Sequence, residues 1–400
     1  MPTPYGVRIG EIAGISIHAD WSLLIIFGLI TLGLGSGLFP AWHPGWSAAL
    51  VWTTALMAAV VFFASVLVHE LSHALVGRAN GMSVRRITLF MFGGLAHLEG
   101  EPPTWRAELW MAVAGPLTSL ALGAGCLAVA AMAGPVAIDP ARPTEALRSL
   151  SPTATLLLWL GPVNVMLGLF NLVPGFPLDG GRVLRAALWG ATGDFRRATR
   201  LASQAGQAFA WLLVGTGAAM MVGLRVPFFG TGLVGGLWLV FIGWFLNNAA
   251  VVSYRQVLVR EFLEDVPVDR LMRTRLVGVP SSMTVAALVD EVVIASGQRT
   301  FPVEDEGRFV GLVALRDLHA PGRAAWERTT VAQVMTPVER LVTVVPGTRA
   351  VDVLALLGKQ DVNQVPVVDG GRLVGLVRRE DIVRWLALHG RGAAPPVETG

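Results

Sequence analysis

Six apolar stretches, at roughly 20–39, 48–76, 107–134, 153–174, 203–224 and 230–252, are each long enough to cross a bilayer, whose hydrocarbon core takes about 20 helical residues. Six such runs leave few folds open. Backbone polar groups in lipid must be satisfied within their own segment, so an open chain of this kind crosses as helices. The fold class expected is a polytopic α-helical membrane protein. Composition agrees: the chain is 53% hydrophobic and 15% charged, where soluble domains carry about 25% charged residues. The charges are sparse up to about residue 250 and frequent beyond it, so an apolar two-thirds precedes a soluble third. A net charge of +3 with scattered arginines does not suggest a nucleic-acid partner. The lone Cys126 excludes an intramolecular disulfide. The first residues lack the basic start, short apolar run and cleavage site of a signal peptide, so none is expected.

Six crossings put both termini on one side, and arginine placement says which. Arg8, Arg78, Arg85, Arg86, Arg106 and the basic runs 182–200 and 255–260 fall on the side of the termini, against Arg142, Arg148 and Arg225 opposite. The positive-inside rule then makes the termini cytoplasmic. A re-entrant stretch in place of one crossing would flip the C-terminal third outside. Residues 81–100, "GMSVRRITLFMFGGLAHLEG", are too short and too broken by glycine to span. They are expected as a β-hairpin buried beside the second helix, with an edge that could accept an extended peptide.

The second stretch contains "VFFASVLVHELSHALVG", residues 61–77. Three ionisable residues inside an apolar run are costly and call for a partner. His69 and His73 stand at i and i+4, so both imidazoles project from one helical face and can share a metal. Glu70 is placed to take a proton from metal-activated water. The bland alternative is a set of interhelical hydrogen bonds. A catalytic zinc site wants a third protein ligand. The candidates are His18, His43, His97, Glu99, Glu108 and Asp179. Asp179 stands in "NLVPGFPLDGGR", where Pro174, Gly175 and Pro177 break the fourth helix. Its carboxylate could turn toward a metal, or Asp-Gly could be a surface turn. Local chemistry leaves both open.

"HELSH" on an apolar helix, followed by "NVMLGLFNLVPGFPLDGGR", resembles the site-2 protease family of intramembrane zinc metalloproteases over about residues 1–250. The resemblance implies that His69, His73 and Asp179 bind one zinc ion and that Glu70 is the general acid/base. It also implies that Asn171 holds the substrate near the metal and steadies the oxyanion. "FMFGGLAHLEG" is similar to the strand segment that presents substrate in that family, and "AGPLTSL" at 114–120 to its third-helix signature, where Gly115 and Pro116 would permit close packing. The activity expected is zinc endopeptidase cleavage in or near a transmembrane helix of a membrane-protein substrate, as in regulated intramembrane proteolysis. Such an enzyme would sit in a bacterial cell membrane as a multi-pass protein. A membrane metal or ion transporter under regulatory control is the alternative, and a catalytically silent scaffold the other; the polar residues cluster as a hydrolytic site and do not line a path.

The soluble third repeats itself. "FPVEDEGRFVGLVALRDL" at 301–318 aligns with "VPVVDGGRLVGLVRREDI" at 365–382, an offset of 64 residues. Each copy is expected to run strand, helix, strand, turn, strand, helix. The pair resembles tandem cystathionine β-synthase (CBS) domains, an α/β module that often binds adenosine nucleotides. Asp317 and Asp381 match the ligand-binding aspartate of that family, but Ala314 and Arg378 replace the hydroxyl residue three positions earlier. A nucleotide at these aspartates and a plain dimerisation or structural role are both expectations, as is a homodimer through the CBS pair. The boundaries expected are a membrane protease domain at 1–252, a linker at 253–265, CBS domains at 266–322 and 329–387, and a disordered tail at 388–400.

Overall fold

The computed structural model describes residues 6–91, 93–99, 101–132, 147–227, 229–320, 322–360 and 362–389. The chain divides into two compact units that meet between Tyr254 and Arg255.

The first unit begins with a feature that the sequence reading missed. Strands β1 (Val7–Ile12) and β2 (Ile15–Ala19) form a hairpin. Its two-residue turn, Ala13 and Gly14, has φ of 51° and 72°, the left-handed pair that matches the twist of a tight hairpin. Strand β2 then pairs in parallel with β3 (Ser83–Phe90), and β3 pairs antiparallel with β4 (Gly93–Glu99). The expected hairpin at 81–100 is therefore half of a four-stranded sheet ordered β1-β2-β3-β4, which leaves β4 at an edge. Ile15, Val84, Ile87 and Leu89 bury one face of this sheet against Val66 and Ala74.

Five described helices are long and apolar enough to cross a membrane: α1 (Ser22–Trp42), α2 (Ala48–Ala79), α3 (Trp105–Met132), α4 (Pro152–Asn171) and α7 (Leu233–Glu264). Helix α2 has 32 residues, about 48 Å at 1.5 Å per residue, so it outreaches a hydrocarbon core of about 30 Å. Its start is capped by Ser47, which accepts from the Leu50 amide, and α4 is capped in the same way by Ser151. Between α4 and the short helix α5 (Asp179–Thr192) the chain passes Pro174 and a cis Phe176–Pro177 bond. Helix α6 (Phe195–Met221) follows. It corresponds to the expected fifth crossing but starts earlier, at three arginines, and carries Gln204 and Gln207, so it is less apolar than the others. The stretch expected as a linker, 253–265, is helical as far as Glu264. No Pro or Gly interrupts the sequence from Trp244 to Val266, so nothing breaks the turn-to-turn hydrogen bonding.

The second unit shows the 64-residue repeat as structure. In the first copy, helical turns over 285–296 (α8) precede β5 (Thr300–Asp305) and β6 (Arg308–Ala314). In the second, α9 (Ala350–Lys359) precedes β8 (Gln364–Asp369), β9 (Arg372–Arg378) and α10 (Arg379–His389). The equivalent residues Phe301 and Val365, Val303 and Val367, and Val313 and Val377 are all fully buried. The copies also exchange strand edges. The short β7 (Thr336–Pro337) of the second pairs with β6 of the first, and Arg273 of the first bridges to Leu376 of the second. Thr300 and Gln364, equivalent by repeat, are hydrogen-bonded at 2.6 Å. Of the expected disordered tail, residues 390–400 lie outside the described residues.

Candidate metal centre

Helix geometry alone places His69 and His73 together, and the structure adds the third group. Among the described residues, one set of three metal-capable side chains converges: His69, His73 and Asp179. The three atoms form a nearly equilateral triangle. His69 Nε2 lies 3.2 Å from His73 Nε2, and Asp179 Oδ2 lies 3.2 Å from the first and 3.1 Å from the second. Ligands about 2.0–2.1 Å from one tetrahedral zinc would stand roughly 3.3 Å apart. Asp179 reaches the histidines because it is the first residue of α5, directly after the Pro-broken turn.

The outer ring nitrogens explain the orientation. His73 Nδ1 lies 2.6 Å from the Met111 carbonyl oxygen, which can only accept, so Nδ1 carries the proton. A neutral His73 therefore aims a lone pair at its Nε2. His69 Nδ1 lies 2.8 Å from the Ser119 hydroxyl, which can accept in the same way. Two imidazole lone pairs and a carboxylate oxygen then crowd within hydrogen-bond distance with too few protons among them. Such an array is satisfied by a cation, and N/N/O donors suit zinc. The residues fit the metal.

Met111, Gly115 and Ser119 are spaced four apart on α3 and share the face toward α2. Gly115 is the tightest of them: a Cβ there would lie 2.1 Å from His73 Nε2 and 2.7 Å from His69 Nε2. The 114–120 signature thus does more than permit close packing. It supplies the His69 partner and the space for both imidazoles, a role that the four-residue spacing signals once α3 is known to face α2. Gly94 on β4 plays a similar part toward Glu70, because a Cβ there would lie 2.2 Å from Glu70 Cγ. The sheet edge therefore runs directly past that carboxylate.

Of the remaining candidate ligands, the His43 and Glu108 side chains are engaged elsewhere. His18 pairs within the sheet opposite Arg8 and Thr88. His43 bonds Thr155 at 2.8 Å and stacks on Trp46. The side chains of His97 and Glu99 lie outside the described residues. Glu108, fully buried, accepts from Arg185 Nε at 2.7 Å and from Arg185 Nη2. That guanidinium also lies over the rings of Phe176 and Phe195. This buried pair ties α5, and so Asp179, to the helix that orients His73. Asn171, the last residue of α4, donates from Nδ2 to the Leu167 carbonyl at 3.1 Å.

In the second unit the two aspartates of the repeat differ. Asp317 Oδ2 accepts from the Ala314 amide at 2.9 Å and stands 3.5 Å from the exposed Arg316. Asp381 receives a forked bond from Arg378, both contacts 2.9 Å, and a third from Arg273. Burial would raise the Asp381 carboxyl, but these guanidinium bonds outweigh it and hold it below its ordinary value. A depressed carboxylate adds stability that is complete above its unfolded pKa of about 3.9 and is lost as pH falls through its folded value. Acid unfolding of the second copy should steepen below about pH 4. Asp381→Asn should flatten that dependence and cost about 1.5–3 kcal/mol at neutral pH. Hydrogen exchange of α10 in the full chain reads both, and an unchanged acid profile in the variant would contradict the assignment.

Comparison with known proteins follows this geometry. The profile of peptidase family M50 matches residues 57–213, and that of the CBS domain matches 265–320 and 331–388. The zinc metalloprotease Rip3 of Mycobacterium tuberculosis is 35% identical over 399 residues, covering 98% of this chain and 96% of its own. The zinc metalloprotease sll0528 of Synechocystis is 33% identical, covering 95% of each chain. Among solved structures, the site-2 protease from Methanocaldococcus jannaschii covers 62% of this chain and 95% of its own, at 25% identity and a TM-score of 0.40.

Proposed function

Because the chain belongs to peptidase family M50, the site-2 type of zinc metalloprotease, we propose that His69, His73 and Asp179 hold one zinc ion per chain and that Glu70 is the general acid/base of an intramembrane endopeptidase. The observation that carries this reading is the triangle of ligand atoms 3.1–3.2 Å apart, with both outer imidazole nitrogens already bonded. Zinc held there lowers the pKa of a water to about 7 and polarises a carbonyl oxygen. Glu70, next in sequence to His69, accepts the proton of the attacking water on its carboxylate and returns it to the leaving amide nitrogen. Asn171 positions the substrate and steadies charge on the carbonyl oxygen.

A membrane helix must be unwound before its carbonyl carbon can be attacked. The edge strand β4, passing Glu70 at Gly94, offers backbone groups to an extended segment by strand addition. The substrate is a membrane protein cut in or near its transmembrane helix, and product leaves toward the cytoplasm. Arginine placement supports cytoplasmic termini and CBS domains. For the CBS pair we favour regulation by an adenosine nucleotide at Asp317 over Asp381, whose carboxylate is already forked by arginine. Two copies of the chain would associate through this module.

Metal analysis of the purified protein tests the centre. About one zinc per chain is expected, and Asp179→Ala should weaken zinc binding by at least 10–100-fold, the effect of losing even an outer-shell partner. Equal zinc in the two proteins would overturn the ligand set.

A further inference from the structure

Away from the metal centre, helices α6 and α7 pack along a seam of small residues. A Cβ on Gly217 would lie 2.5 Å from the Gly236 carbonyl oxygen, and one on Gly243 would lie 2.6 Å from the Ala210 carbonyl oxygen. Ser203 Oγ donates to the Ala250 carbonyl at 2.9 Å. Each contact is seven residues from the last, backward on α6 and forward on α7, so the helices run antiparallel in one register. One more step brings the seam to its charged end. Both helices change from apolar to polar sequence at this point, α6 through Arg196, Arg197 and Arg200, and α7 after Val252.

A cavity of about 550 Å³ opens there, within the first unit, lined by those three arginines together with Leu201, Gln204 and Tyr254. Its volume lies in the range of small-molecule sites. Asp194 also lines it, but Asp194 Oδ1 accepts from the Arg197 backbone amide as the cap of α6. Among the described residues, neither the Arg197 nor the Arg200 guanidinium has an ion-pair partner. Planar guanidinium groups gathered about one cavity match the tetrahedral oxygens of a phosphate. From Leu201, itself 39% exposed, the surface of α6 continues with Trp211 and Leu212, which are 63% and 64% exposed.

We propose that this cavity binds the phosphate headgroup of an anionic phospholipid whose acyl chains lie on Leu201, Trp211 and Leu212. The charge lies where α7, long and apolar enough to cross a membrane, and α6 packed along it both pass from apolar to charged sequence, which corresponds to the headgroup level of a bilayer. A free phosphate would use the arginines and leave the apolar strip uncovered, so the lipid is the better match. The site is separate from the catalytic reading and stands or falls without it.

Native mass spectrometry of the full chain, offered equal phosphatidylglycerol and phosphatidylcholine, tests this. Phosphatidylglycerol should be retained preferentially by the wild type. Each arginine near a phosphate contributes roughly fivefold, so Arg197→Gln with Arg200→Gln should reduce retention about 25-fold. Both side chains are exposed, and an unchanged unfolding temperature in phosphatidylcholine nanodiscs would show that the fold persists. If the double variant unfolds, Arg200→Gln alone should still lose about fivefold. Equal retention of the two lipids by the wild type, or wild-type retention by the variants, would overturn the proposal. So would stabilisation by inorganic phosphate that matches phosphatidylglycerol, since that would assign the site to the free ion.

Discussion

Glu70→Gln should lower cleavage of a membrane-protein substrate by about 10²–10⁴-fold, the usual contribution of a general acid/base, while zinc stays bound. The amide keeps the volume and place of the carboxylate beside Gly94, so neither the imidazoles nor Asp179 lose a partner. What is lost is a group able to take a proton from water and hand it to the leaving nitrogen. Two readouts on one purified variant separate the possibilities. Zinc retained with cleavage lost supports the assigned role. Zinc lost together with activity would make Glu70 part of the ligand set, and cleavage at the wild-type rate would place the base elsewhere. In cells, the same pair of proteins should differ in the fragments of one or more membrane proteins. If no fragment depends on Glu70, the protease reading fails, and a transporter lacking any proteolytic product becomes the better account.

Gly115→Ala should be almost as damaging although it removes no chemical group. The added methyl would sit 2.1 Å from His73 Nε2 and 2.7 Å from His69 Nε2, well inside contact distance. Both rings are pinned on their far sides, His73 by the Met111 carbonyl and His69 by Ser119. Rotating away would break those bonds, and moving α3 would strain its long contact with α4. Zinc affinity is expected to fall about 10–100-fold, the range seen when the support of a ligand is disturbed. Gly125→Ala on the same helix is the control, because its Cβ would meet nothing within 4 Å. Equal zinc affinity in the two variants would mean that the imidazoles are not held as described.

The site was unevenly legible in the sequence. His69, Glu70 and His73 could be found from spacing because a helix turns 100° per residue, so separation along the chain fixes which side chains share a face. Asp179 could be suspected from the prolines that precede it, but "LDGG" reads equally well as a surface turn. Its choice among six candidates came from resemblance. The 64-residue repeat predicted the second unit well, since the same alternation of apolar residues buries Val303 and Val367 alike. The N-terminal hairpin escaped notice because six exposed or half-exposed residues of β1 show no apolar face. The helical form of the expected linker was not legible: charge density changes at 253, but nothing in the backbone chemistry stops the helix before Glu264.

By itself the sequence determined that this chain crosses a membrane, that one helix carries two histidines on one face with an acid between them, and that a repeated module follows. Each is a local property, set by hydropathy, helical pitch or repetition over a few tens of residues. Only the tertiary structure decided that Asp179 meets those histidines across 106 residues of chain, that Ser119 and the Met111 carbonyl orient them, and that two glycines make room for the imidazoles and for Glu70. Helix packing brings these groups together, and a sequence records a contact between distant helices only as small residues whose partners it does not name. The same holds for the arginine cavity: its charges are visible in the sequence, but Tyr254 stands opposite them only because the seam between α6 and α7 runs in a single antiparallel register.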